Sequence, residues 1–118
     1  MLVWCLENSK RLPAKARQHI ENRRNTVLVS AASIWELAIK RVLKDSNIEV
    51  SELADSIASA GFESLNVTPQ HATAVLDLPL YHRDPFDRML VAQAVVETAY
   101  LLSHDRALVA YGKVVMLV

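Results

Sequence analysis

Apolar residues along this chain follow two alternating patterns, short β-branched runs and longer helical stripes. Residues 2–8 read as a strand remnant leading into a helix, and residues 13–24 open on Pro13 and read as a helix. Residues 26–30, TVLVS, are continuously apolar up to a serine, as a buried parallel strand would be. Residues 33–44 put Ile34, Trp35, Ala38, Ile39 and Val42 on one broad apolar side, which predicts a helix. A further helical period over 50–60 ends at Gly61, a natural residue for the left-handed turn that closes a helix. Residues 62–67 predict a short strand. Thr68 then caps a helix running to about Leu76, with Pro69 in its first position. Residues 85–98 carry Met89, Leu90, Val91, Ala92, Ala94, Val95 and Val96 nearly all round, which predicts a helix buried on most sides. A strand at 99–103, a short helix at 105–111 and a last strand at 113–118 complete the series. Strands alternating with helices predict an α/β fold, a three-layer α/β/α sandwich with a mainly parallel sheet. In such a sheet, functional groups gather at the carboxyl ends of the strands.

Composition narrows this without redirecting it. The chain has 118 residues, 52% of them hydrophobic, which is enough for one domain over 1–118 with a real core. The apolar runs are too short to span a bilayer, and the N-terminus has neither the basic start nor the cleavage site of a signal peptide. The single cysteine, Cys5, allows no internal disulfide and reads as a core thiol, which fits a reducing cytoplasmic setting. Net charge is zero, but the charges are segregated. Residues 1–44 carry nine Lys or Arg against three acids, and residues 45–77 carry six acids and no Lys or Arg. That division fits either solvated helix faces or a basic surface that meets phosphates.

The candidate chemistry lies in four acids near strand-to-helix junctions. Glu36 follows the TVLVS strand in SAASIWELAIK. It also fits two structural roles, the third position of a capping box opened by Ser33 and an ion pair with Lys40 one turn on. Asp84 precedes Pro85 and is suited to capping the helix that follows. Asp87 shares a helix side with Val91 and Ala94, where a charge needs compensation from the helix dipole or from a cation. Asp105 follows the strand at 99–103 and can cap the next helix. Carboxylates gathered on one sheet edge suit Mg²⁺ or Mn²⁺, and such a cation polarises a phosphodiester and activates water. No glycine-rich phosphate loop is present. His19, His71, His82 and His104 lack zinc-site spacing. His82 and His104 flank the acids and read as solvated loop residues. Arg83 and Arg88 could hold phosphates or balance the carboxylates.

SAASIWELAIK, LPLYHRDPFDRMLVAQA and LLSHDRALVAYG, in this order, resemble the PIN-domain ribonucleases of the VapC toxin type over nearly the whole chain. The resemblance implies a PIN-like α/β/α domain and a Mg²⁺- or Mn²⁺-dependent endoribonuclease, the toxin of a toxin–antitoxin pair. It implies RNA as substrate, an antitoxin protein as partner and a homodimer. The family's acidic positions carry over to Glu36, Asp87 and Asp105 as catalytic metal ligands, with Asp84 in the same motif as N-cap or further metal support. Arg83, Arg88 and Lys40 would then steer the RNA backbone. Such proteins open with an apolar strand ending in Asp, whereas residues 1–7 here match the stretch that follows it. The first strand and its carboxylate are therefore expected to be missing, and Glu7 falls past the position. That departure supports the alternative of a non-catalytic PIN-like module that binds a partner protein.

Overall fold

The computed structural model describes residues 2–6, 9–44 and 48–118, so Glu7 lies outside the described residues. The chain divides into two compact units, Met1–Asn66 and Val67–Val118. Helices and strands alternate within them as expected, and every strand pairing is parallel.

The first unit opens with α1 (Leu2–Leu6), so the start of residues 2–8 is helical rather than a strand remnant. Helix α2 (Ala14–Glu21) is capped by Pro13 in an extended conformation and stops three residues before the expected end. Asparagines explain the early stop. Asn22 Oδ1 accepts from the Arg24 N–H and Asn25 Nδ2 donates to the His19 carbonyl, so local side-chain bonds replace the next helical turn. Strand β1 (Leu28–Ser30) pairs with β2 (Glu63–Leu65), Val29 opposite Ser64.

Helix α3 (Ala31–Lys44) starts directly from β1, two residues earlier than expected. Ser30 Oγ accepts from the Ala32 N–H at 3.0 Å, so Ser30 closes the helix start. Ser33 is already inside the helix, which removes the Ser33–Glu36 capping box. The side expected to be apolar and covered is only partly so, because Trp35 and Val42 are 63% and 81% exposed. Helix α4 (Val50–Ser59) packs against α3 and buries Leu53 and Ile57. It ends in a Schellman turn: Phe62 N–H bonds the Ile57 carbonyl, Gly61 N–H bonds the Ala58 carbonyl, and Gly61 takes φ +83°.

The second unit opens with α5 (Pro69–Ala74). Thr68 caps it as expected, and His71 completes the capping box in place of the usual Glu or Gln. His71 is fully buried. Its Nδ1 accepts from the Thr68 N–H, and its Nε2 lies 2.7 Å from Glu97 Oε1, which ties α5 to α6 (Pro85–Glu97). Val91, Ala92, Gln93 and Ala94 of α6 are buried, while Val95 is 54% exposed, so the helix is covered on most sides but not all. Thr98 ends α6 in the left-handed region. Strand β3 (Leu101–Ser103) pairs with β4 (Val115–Leu117), Leu102 opposite Met116, and the connection between them is a 3₁₀ helix, Arg106–Tyr111. Val91, Leu108 and Val115 form the core here, with Leu78, Leu101, Tyr111 and Val114 packed around them.

The strands thus make two two-stranded parallel sheets, each shorter than its apolar run. Among the described residues no helix is long and apolar enough to cross a membrane.

Candidate functional site

Two element boundaries of the second unit meet at one cluster. β3 ends at Ser103, whose Oγ accepts from the Asp105 N–H and fixes the turn that presents Asp105. Asp105 Oδ1 then caps the 3₁₀ helix by accepting from the Ala107 N–H at 2.9 Å. The other boundary is the start of α6. Asp84 Oδ1 accepts from the N–H groups of Phe86 and Asp87 at 2.8 and 3.1 Å, the capping role expected of it. Asp87 stands in the first turn, where the helix dipole favours a carboxylate.

The residue that joins the two boundaries is His82. Its Nε2 lies 3.3 Å from Asp105 Oδ2 and 3.7 Å from Asp87 Oδ2. One ligand-type atom from each of His82, Asp87 and Asp105 falls within 4.8 Å of the others. His82 is therefore a half-buried member of the cluster rather than a solvated loop histidine. Its Nδ1 accepts from the Asp84 N–H at 3.1 Å, and its own N–H donates to the Tyr111 hydroxyl. Tyr111 in turn stacks edge-on against Tyr81, with ring centroids 5.3 Å apart. Neither His82 nor Tyr111 stands out in the sequence, because the partners that give them roles are 5 to 29 residues away. The one local signal is the step from His82 to Asp84, the spacing at which a histidine Nδ1 meets a backbone N–H.

Glu36 belongs to the first unit, where it pairs with Lys40 at 3.8 Å; both are partly exposed and the pair is worth a few tenths of a kcal/mol. Arg83 is exposed beside the cluster. Arg88 is held within the second unit. Its guanidinium donates to the carbonyls of Pro79, Val75 and Leu78 and to the Tyr111 hydroxyl, at 2.9 to 3.3 Å. It ties the segment after α5 to α6, with both terminal nitrogens of the guanidinium engaged inside the fold. Arg83 and Arg88 also line a mostly apolar groove of about 490 Å³ with Leu80, Pro85 and Met89, and none of the acids reaches it.

The donor chemistry of the cluster suits a divalent cation. Asp87 and Asp105 turn carboxylate oxygens toward one point, as hard cations require. Parallel strands and alternating helices define an α/β protein, with a carboxylate pair where a strand ends and a helix starts. The chain belongs to the PIN-domain family, whose profile matches residues 1–114. PIN domains are in general metal-dependent nucleases and typically bind divalent metals. No curated protein and no solved structure matches the chain significantly.

Proposed function

We propose that this chain is a metal-dependent endoribonuclease of the VapC toxin type, cytoplasmic, held in check by an antitoxin protein and acting as a homodimer. The observation that carries the nuclease part is the convergence of Asp87 and Asp105 on one point at the start of α6 and the end of β3. The toxin role, the antitoxin and the homodimer rest on the resemblance of the motifs alone. Asp87 and Asp105 would hold Mg²⁺ or Mn²⁺; Glu36 is a further ligand by resemblance. The cation, when bound, supplies charge neutralisation at the phosphodiester and a more acidic water. The chain's own part is to hold the two carboxylates in place through the caps of Asp84 and Asp105. Arg83, which is exposed, and Lys40 are the candidates for steering the RNA backbone. Arg88 is left out of it.

Replacing Asp87 with Asn keeps the size and first-turn position of the side chain and removes its charge. Mg²⁺-dependent cleavage of a single-stranded RNA should fall to background with the fold intact by circular dichroism. Equal cleavage by the variant overturns the assignment. A second reading, a non-catalytic module that binds a partner protein, is favoured by the presence of only two carboxylates in the described cluster. Lack of Mn²⁺ binding at millimolar concentration supports that module, and binding supports the nuclease.

A further inference from the structure

The geometry points to His82 as a positioning clamp, its Nε2 proton beside Asp105 and Asp87, that does not itself ligate the cation. This rests on the metal-site reading above and adds a claim about which atoms of the cluster remain available. By distance alone His82 looks like the third ligand, since its Nε2 lies among the same oxygens. The ring's other nitrogen decides against it. Nδ1 accepts a hydrogen bond from the Asp84 N–H, and a backbone N–H can only donate, so Nδ1 carries the lone pair. A neutral imidazole holds one proton, which must then sit on Nε2. Nε2 lies 3.3 Å from Asp105 Oδ2 and 3.7 Å from Asp87 Oδ2, near enough for charge–dipole attraction without a hydrogen bond to either.

Coordination through Nε2 would need the proton moved to Nδ1, which would set two donors against each other at Asp84. Asp84 cannot yield, because its carboxylate caps α6 and fixes its own backbone. The backbone of His82 is held as well, since its N–H donates to a Tyr111 hydroxyl that also accepts from Arg88. The positive end of an N–H dipole this close to two carboxylates offsets part of their mutual repulsion. Outer partners of this kind orient the ligands of a metal and matter to its affinity about as much as the ligands do. The cluster therefore offers oxygen alone to a cation, which favours Mg²⁺ and Mn²⁺ over nitrogen-seeking Zn²⁺.

Long-range ¹H–¹⁵N correlation of the histidine rings in alkaline buffer, where histidines are neutral, reads the tautomer in the whole chain. His82 signals are assigned by their loss in His82→Gln. The expected pattern is Nε2–H, kept when Mg²⁺ or Zn²⁺ is added. An Nδ1–H pattern, or a shift of Nε2 to a metal-bound position with either ion, overturns the clamp. In a Mn²⁺ titration, His82→Ala should bind about 10- to 100-fold more weakly than the native chain. His82→Gln, which keeps an N–H near the Nε2 position, should recover part of that loss. Unchanged or tighter binding by His82→Ala overturns the proposal. If the native chain binds no Mn²⁺, the metal reading fails, and the metal-free tautomer still decides the clamp.

Discussion

Arg88→Lys should destabilise the protein by about 2–3 kcal/mol although it preserves the charge. The guanidinium bridges three carbonyls and a hydroxyl that lie in different directions, Pro79 at 2.9 Å, Tyr111 at 3.0 Å, Val75 at 3.1 Å and Leu78 at 3.3 Å. Hydrogen bonds from a charged group contribute roughly 1.5–3 kcal/mol each. The bond to Pro79 is exposed and water replaces it, so the three part-buried bonds decide the outcome. At the low end they come to about 4.5 kcal/mol. A single ammonium at the end of a flexible stem can restore one of them and lacks the planar fork that serves two directions at once. Urea denaturation followed by circular dichroism measures the loss directly. A melting shift of about 4 °C per kcal/mol provides a check at this chain length. Arg83→Lys is the control, since Arg83 is exposed and should change stability by less than about 0.5 kcal/mol. Arg88→Lys within that same margin would refute the claim that the guanidinium is a structural tie.

Asp84→Ala should lower stability by about 1–2 kcal/mol in urea, because one oxygen caps two N–H groups of α6, whereas Asp84→Ser should keep most of that stability. Thr98→Gly should raise stability by roughly 0.5–1 kcal/mol, because a β-branched residue at φ +53° is strained where glycine is not, and a lower melting temperature would contradict this. Burial pushes the Cys5 thiol above its ordinary value of 9.0. Well below that value both states hold a neutral thiol and pH has no effect through it. Above it the unfolded thiol ionises first, so stability falls as pH rises through the ordinary value toward the folded one. Native Cys5 should accordingly react with iodoacetamide more slowly than Cys5 in urea, and equal rates would count against its burial.

What the sequence revealed of this fold is what local chemistry controls. The caps at Thr68, Asp84 and Asp105 are legible because donor and acceptor lie within three residues of each other. The turn at Gly61 is legible for the same reason. The start of α3 was misplaced by a choice between two serines at similar offsets; the backbone leaving β1 favours Ser30, since the strand ends there. The exposure of Trp35 and Val42 was hidden because helical period gives the width of an apolar side and not how much of it is covered. Arg88 and His82 share a different obstacle. Most of their partners are brought near by the packing of the 3₁₀ helix Arg106–Tyr111 and the segment after α5, and the one local signal is the short step from His82 to Asp84.

The cap and the site are not competing explanations of these acids, because a carboxylate has two oxygens. In Asp105 the two are divided: Oδ1 accepts from the Ala107 N–H and Oδ2 faces His82. The cap then fixes the side chain at one oxygen and so aims the other, much as a second-layer partner aims a ligand. Asp84 uses one oxygen for both of its helix bonds, and no atom of it joins the cluster. Its effect on the cluster passes through its backbone N–H to His82. A helix start and a strand end are the places where free N–H groups demand acceptors, so acids are drawn there by capping alone. A cation site needs in addition that carboxylate oxygens from separate elements lie close together. Asp87 and Asp105 meet that condition, with His82 beside them.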